Sequence, residues 1–127
     1  MKNLMLLVAV LWAGVVSAQN DVAEQAAKFI QAGNAKDLSG LFAESLDLVV
    51  LETDEIVSKS QAEQILKKFF TNNVPKSFKI VHQGSTGLQI EYRIGELETS
   101  TGKYKVTFNL KKAGETLVIH QFRIEKE

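Results

Sequence analysis

The sequence predicts a single α+β domain in which three helices of the N-terminal half pack on a curved, mostly antiparallel sheet. Three observations carry that prediction: two apolar stripes at helical spacing before Pro75, period-two alternation through Ser77–Glu127, and glycine-bearing turns between the alternating runs. A length of 127 residues, 45% hydrophobic and 24% charged, fits one domain of ordinary globular composition.

The first eighteen residues stand apart from the rest. Lys2 gives a positive start, Leu4 to Val16 an unbroken apolar run, and Val16-Ser17-Ala18 a small-residue cleavage site, the layout of a secretory signal. The expected mature domain is residues 19–127, exported and soluble in the periplasm or medium, with no membrane attachment after cleavage. The apolar run falls short of the roughly 20 residues needed to span a bilayer core, although a retained anchor is the alternative. There is no cysteine, hence no disulfide framework and no lipidated thiol, and no Asn-x-Ser/Thr sequon. The export signal therefore reads as bacterial.

Asp21 caps the first predicted helix, with Glu24 completing a capping box, and Val22, Ala26, Phe29 and Ile30 form its apolar stripe up to Gly33-Asn34. A second helix is predicted over Ala35–Phe42, weakened by Gly40 by about 1 kcal/mol relative to alanine. Leu46–Glu52 is too β-branched and too short for a helix, and the turn Thr53-Asp54-Glu55 leads into Ile56-Val57, so a hairpin is expected. Ser60 and Glu63 read as a second capping box before the stripe Ala62, Ile65, Leu66, Phe69 and Phe70, which ends at Asn72-Asn73 and Pro75.

Thereafter Phe78, Ile80 and His82 share a face, as do Leu88, Ile90, Tyr92 and Ile94, and Tyr104, Val106, Phe108 and Leu110. A three-residue turn Ser100-Thr101-Gly102 pairs Ile94 with Phe108 and Tyr92 with Leu110, so that the apolar faces coincide. For the last turn, a three-residue Lys112-Ala113-Gly114 loop turns Val118, His120, Phe122 and Ile124 inward. A two-residue Ala-Gly loop would instead bring in Leu117 and Ile119. The first is adopted, leaving Leu117 and Ile119 on the outer face beside Gln121 and Arg123.

Two stretches carry a resemblance: Ile56-Val57-Ser58-Lys59-Ser60-Gln61-Ala62-Glu63 through Phe69-Phe70, and Gly102-Lys103-Tyr104-Lys105-Val106 on to Gln121-Phe122-Arg123-Ile124-Glu125. With Gly95-Glu96-Leu97 and Leu110-Lys111-Lys112, they resemble an uncharacterised bacterial family of small exported domains in the nuclear-transport-factor-2-like superfamily. The resemblance covers essentially all of residues 19–127 and implies a cone-shaped fold shared with ketosteroid isomerase. It implies no catalytic residues, because the family has no established activity.

In that cone the inward polar groups define the candidate site: His82, Tyr92, Tyr104 and His120 by the alternation above, with a small apolar ligand as the implied occupant. A ketosteroid-isomerase-like or dehydratase-like enzyme needs a positioned base and an oxyanion donor, which a histidine and a tyrosine supply. Against this, Glu91 and Glu96 fall on the opposite face in this register, and Asp47 is the only early inward carboxylate. The favoured reading is thus a non-catalytic ligand-binding or interaction module. Leu117, Ile119, Gln121 and Arg123 form a mixed patch suited to a homodimer through the outer sheet face. Two histidines 38 positions apart, with no cysteine, offer no metal-ligand spacing, and no cofactor motif occurs. Lys plus Arg equals Asp plus Glu at 15 each, so no basic field exists for nucleic acid.

Overall fold

A computed structural model describes residues 21–87 and 89–127 of the chain. The signal segment over residues 1–18, the Asp21 cap and the strand position of Leu88 lie outside the described residues and side chains. Helix α1 spans Asp21–Ala32 and buries Ala23, Ala26 and Ile30, with Val22 and Phe29 at the margins of the stripe. It stops at Gly33, where φ is 68°. There the Gly33 amide donates to the Ile30 carbonyl at 3.1 Å and the Asn34 amide to the Phe29 carbonyl at 2.8 Å, the two bonds of a Schellman ending. Asn34 next caps the short helix α2 (Ala35–Ser39), its side-chain oxygen accepting from the Asp37 amide at 3.1 Å. Helix α2 ends before the expected Phe42, because Phe42 opens strand β1 (Phe42–Val50) and pairs with Ile119.

Strand β2 is Thr53–Ser58, and the β1–β2 turn is Leu51-Glu52 rather than Thr53–Glu55, since Val50 already pairs with Thr53. Leu51 takes a φ of 58°, a left-handed conformation that a side chain rarely adopts. Helix α3 (Lys59–Asn72) is capped two residues earlier than expected. Ser58 Oγ accepts from the Gln61 amide at 3.3 Å, and Gln61 Oε1 accepts from the Ser58 amide at 3.0 Å. Ala62, Leu66, Phe69 and Phe70 are its buried stripe.

Strands β3 (Pro75–Ser85), β4 (Ile90–Thr99), β5 (Gly102–Ala113) and β6 (Thr116–Lys126) complete a six-stranded sheet in the order β2-β1-β6-β5-β4-β3. All neighbours are antiparallel except β1 and β6. The cone expected from the resemblance is not formed. The sheet is open, with β2 and β3 as its two free edges, and is neither closed nor strongly curled. The space between helices and sheet is filled: Phe42, Phe108 and Phe122 are at most 1% exposed, with Phe42–Phe122 ring centroids 5.6 Å apart and Phe108–Phe122 stacked at 6.1 Å. Ile30, Leu38 and Leu66 close the same layer, each fully buried. Each such side chain contributes roughly 1.5–3 kcal/mol on burial, so a cavity here would cost more than the core gains from any one residue.

The register also departs from expectation, and with it the assignment of faces. Thr99 pairs with Gly102, so the β4–β5 turn has two residues, Ser100 and Thr101. Arg93 therefore faces Phe108, Leu97 faces Tyr104, and Glu91 faces Leu110, all on the helix-covered side, while Tyr92 and Ile94 turn to the open side opposite Asn109 and Thr107. At the last turn Ala113 pairs with Thr116, which brings Leu117 and Ile119 onto the covered side opposite Lys112 and Leu110. A bulge at His120 then resets the pairing, so that Phe122 and Ile124 also point inward, opposite Phe108 and Val106. A second bulge, at Val81 in β3, sends His82 to the open face opposite Ile94, while Phe78 and Ile80 stay inward.

Candidate functional site

Of the four groups expected to line one cavity, the structure keeps only Tyr104 on the helix-covered side. It is buried against Phe69, ring centroids 5.3 Å apart. Its hydroxyl lies 3.0 Å from Thr101 Oγ1 and donates to Asn73 Oδ1 at 3.1 Å, and Thr101 Oγ1 donates to the same oxygen at 2.6 Å. Asn73 Nδ2 meanwhile donates to the Phe69 carbonyl at the end of α3. Tyr104 is thus a polar fastener between α3 and the β4–β5 turn, with its hydroxyl satisfied. His82, Tyr92 and His120 stand on the open face, on the other side of the sheet from Tyr104.

The open face collects these three with Gln121 and Arg123, whereas Leu117 and Ile119, expected beside them, are turned to the other side. One row across it reads Asp47, Gln121, Asn109, Tyr92, Gly84 on five neighbouring strands. Asn109 Nδ2 donates to Gln121 Oε1 at 2.6 Å, and Gln121 Nε2 to Asp47 Oδ2 at 3.4 Å. The Tyr92 ring ends over Gly84, where an added Cβ would come within 2.6 Å of its hydroxyl oxygen. The next row contains Val49, Arg123, Thr107, Ile94 and His82, with Val49 only 7% exposed. A third is alternately charged: Glu125, Lys105, Glu96, Lys79.

His120 occupies the bulge above Lys111. Burial and then the Lys111 charge hold its imidazole below the usual histidine value. Its Nε2 is shut off from solvent without a hydrogen-bond partner among the described residues; so is Arg123 Nε, whose closest acidic neighbour, Glu125 Oε1, is 3.7 Å away. His120, Asp47, Ile56 and Val118 border a concavity of about 470 Å³ on this face.

Two larger concavities lie elsewhere. A groove of about 750 Å³ runs between α3 and the β1–β2 turn, over Val50, Leu51, Ile65 and Phe69 with Lys68 and Glu125 at its rim. Another, of about 590 Å³, opens on the covered side beyond the helices, among Gln83, Ser85, Glu91, Arg93, Lys112 and Leu117. The three-residue turn expected before β5 turns Arg93 outward, and the two-residue turn brings it inward. Its isolation between apolar positions, with Glu91 two residues before it, is the sequence signal that would have found it. Among the described residues no cluster of three or more His, Cys, Asp or Glu could hold a metal ion, and no helix is long and apolar enough to cross a membrane.

The model of the domain of unknown function DUF4783 matches residues 23–125, every element from α1 to β6. The chain belongs to the DUF4783 family. A DUF4783 protein from Bacteroides ovatus is 30% identical over 81% of this chain and 93% of its own, with a TM-score of 0.76. One from Bacteroides uniformis is 30% identical over 82% and 95%, with a TM-score of 0.77. A domain of unknown function with a cystatin-like fold from Nostoc punctiforme, 14% identical over 87% of this chain and 76% of its own, shares the fold at a TM-score of 0.68. What that last likeness shows is a shared fold. No curated protein matches the chain.

Proposed function

We propose that this DUF4783 domain is a non-catalytic, exported interaction module that pairs with a second copy of itself through the open face of its sheet. The observation that carries the reading is the charged row Glu125, Lys105, Glu96, Lys79. A two-fold axis lying between two facing sheets and parallel to the strands reverses that row against itself, setting Lys79 opposite Glu125 and Glu96 opposite Lys105. An isologous interface requires this self-complementarity. Within one molecule these residues are cross-strand neighbours in register, where an exposed pair of opposite charge is worth only about 0.2–1 kcal/mol. The adjoining rows supply Tyr92 and Arg123, the aromatic and guanidinium types that anchor interfaces, with Ile94 beside them.

The test is mass measurement by light scattering on size-exclusion chromatography of residues 19–127 at high micromolar concentration. The wild type is expected to be a dimer, Lys105→Glu a monomer, and Glu96→Lys/Lys105→Glu a dimer again, with unchanged circular dichroism throughout. A wild-type monomer, or no recovery in the double variant, overturns the reading. Export is supported by the residue 1–18 pattern, and the mass of the protein recovered from the cell envelope, expected to begin at Gln19, tests it.

A small apolar ligand is the second reading, favoured by the groove over Phe69 and Ile65, where Leu51 is 45% exposed at a left-handed φ of 58°. Octanol raising the melting temperature of wild type but not of Ile65→Gln supports it, and equal responses refute it.

A further inference from the structure

We propose that the concavity at the helix-free end of the covered face binds a small monocarboxylate, with Arg93 as its principal ligand and Glu91 as the internal group it displaces. The described residues lining this space of about 590 Å³ all come from strands and turns, and its mouth lies between β3 and the β5–β6 turn. The volume is ordinary for a small-molecule site.

Arg93 is the anomaly that points there. Its side chain is only 10% exposed, on a strand whose other inward residues are Gly95, Leu97 and Thr99 apart from Glu91. A leucine there would extend the core against Phe108 without desolvating a charge, and replacing a buried ion pair by apolar residues is often neutral or stabilising. The guanidinium is held in place by two bonds, Nη1 to the Tyr92 carbonyl at 3.1 Å and Nη2 to Glu91 Oε1 at 3.0 Å. Those bonds orient a planar donor set of five N–H groups and leave others for an incoming acceptor.

The charge count selects the ligand. Arg93 and Lys112 face one carboxylate, Glu91, which is itself 41% exposed and so gives part of its charge to water. The site carries one uncompensated positive charge, which a singly charged anion neutralises. A carboxylate matches the guanidinium fork in a bidentate pair. Ser85 and Gln83 offer further donors at the rim, and Leu117 with the stems of Arg93 and Lys112 gives an apolar wall for a short tail. This site is on the opposite side of the sheet from the proposed pairing face and stands or falls independently of it.

The test is isothermal titration of residues 19–127 with octanoate, with octanamide as the uncharged analogue and with inorganic phosphate, backed by amide chemical shifts. Octanoate is expected to bind at least about tenfold more tightly than octanamide or phosphate, a difference of about 1.4 kcal/mol. Shifts should centre on Gln83, Ser85, Arg93 and Leu117. Glu91→Gln, which removes the competing carboxylate, should bind octanoate several-fold more tightly, and the exposed Lys112→Gln several-fold more weakly, both with native spectra. Arg93→Gln, where folded, should lose binding more than tenfold. Equal affinity for octanoate and octanamide overturns the proposal, as does a Glu91→Gln variant that binds octanoate no better than wild type. Phosphate binding as tightly as octanoate overturns the carboxylate assignment.

Discussion

Gly95→Ala is the substitution that most sharply tests the inner packing of the sheet. Gly95 lies inward on β4, opposite Ile80 and Val106, and the Phe78 ring of the edge strand β3 covers it. A Cβ at Gly95 would run into Phe78 Cζ and Cε1 and would stand 2.8 Å from the Lys79 carbonyl oxygen. Phe78 is 7% exposed, so the ring has no free space to retreat into without leaving the core. Overpacking of this kind costs about 1–3 kcal/mol, and with the loss of part of the ring's burial the expected destabilisation is about 2–3 kcal/mol. For a domain near 100 residues that lowers the melting temperature by roughly 10–20 °C. Urea unfolding followed by circular dichroism measures it, and a cycle with Phe78→Ala assigns the cause. In the Phe78→Ala background the ring clash is gone while the 2.8 Å contact with the Lys79 carbonyl oxygen stays, so Gly95→Ala should cost about 1 kcal/mol less there than in the wild type. Additivity within about 0.5 kcal/mol would falsify the proposed ring-over-glycine packing. Gly84→Ala is the control: the atoms nearest its Cβ all belong to the Tyr92 ring, at a half-buried position from which the ring can rotate, so the cost stays below about 1 kcal/mol.

Three other outcomes are expected. Leu51→Gly relieves a left-handed φ of 58° at a half-exposed turn position and should raise stability by about 1 kcal/mol in urea unfolding; a loss of that size would contradict the strain. His120 has its folded value lowered by burial and Lys111, so the unfolded chain binds the proton more readily. Its contribution is then fully present at neutral pH and is lost as pH falls through about 6.5 toward the folded value, and thermal melts of His120→Gln between pH 5 and 7.5 should have a shallower slope than wild type. Finally, deleting His120 removes the bulge residue and leaves Ile119 and Phe122 in continuous register with Leu110 and Phe108, so the deletion should fold. Deleting Thr107 from unbulged β5 sets Tyr104 and Val106 against Phe108 and Leu110 in facing and should not fold; similar spectra for the two deletions would contradict the register.

The helices were legible because each carries a stripe of large apolar residues that only a 3.6-residue period brings together: Ala62, Leu66, Phe69 and Phe70 are buried where the spacing put them. Their caps were less so. Ser58 and Ser60 are both followed by a glutamine or glutamate three residues on, and the chain's exit from β2, paired as far as Ser45↔Ser58, decides between them. The strands were legible as strands and ambiguous as faces. Ser100-Thr101-Gly102 reads equally as three loop residues or as two followed by the first residue of β5, and that single step exchanges Tyr92 and Ile94 with Arg93 and Leu97. The candidate site inherited the same uncertainty, because membership of a face was its only criterion.

In β6 the sequence held a signal that simple alternation averages away. Leu117 and Ile119 share one parity and Phe122 and Ile124 the other, yet all four belong to one apolar set. A straight strand must expose one pair or the other, which is why two turn lengths seemed to compete. One unpaired residue between the pairs satisfies both, and His120 is that residue. The consequence reaches function directly. A polar residue at the bulge spares the core a mismatch and turns an imidazole outward, while the two-residue turn before β5 turns an arginine and a glutamate inward. The polar groups available for chemistry are thereby exchanged between the two faces of the sheet: histidines and a tyrosine go to the surface that can meet another protein, and an ion pair goes to the pocket that can meet a small anion.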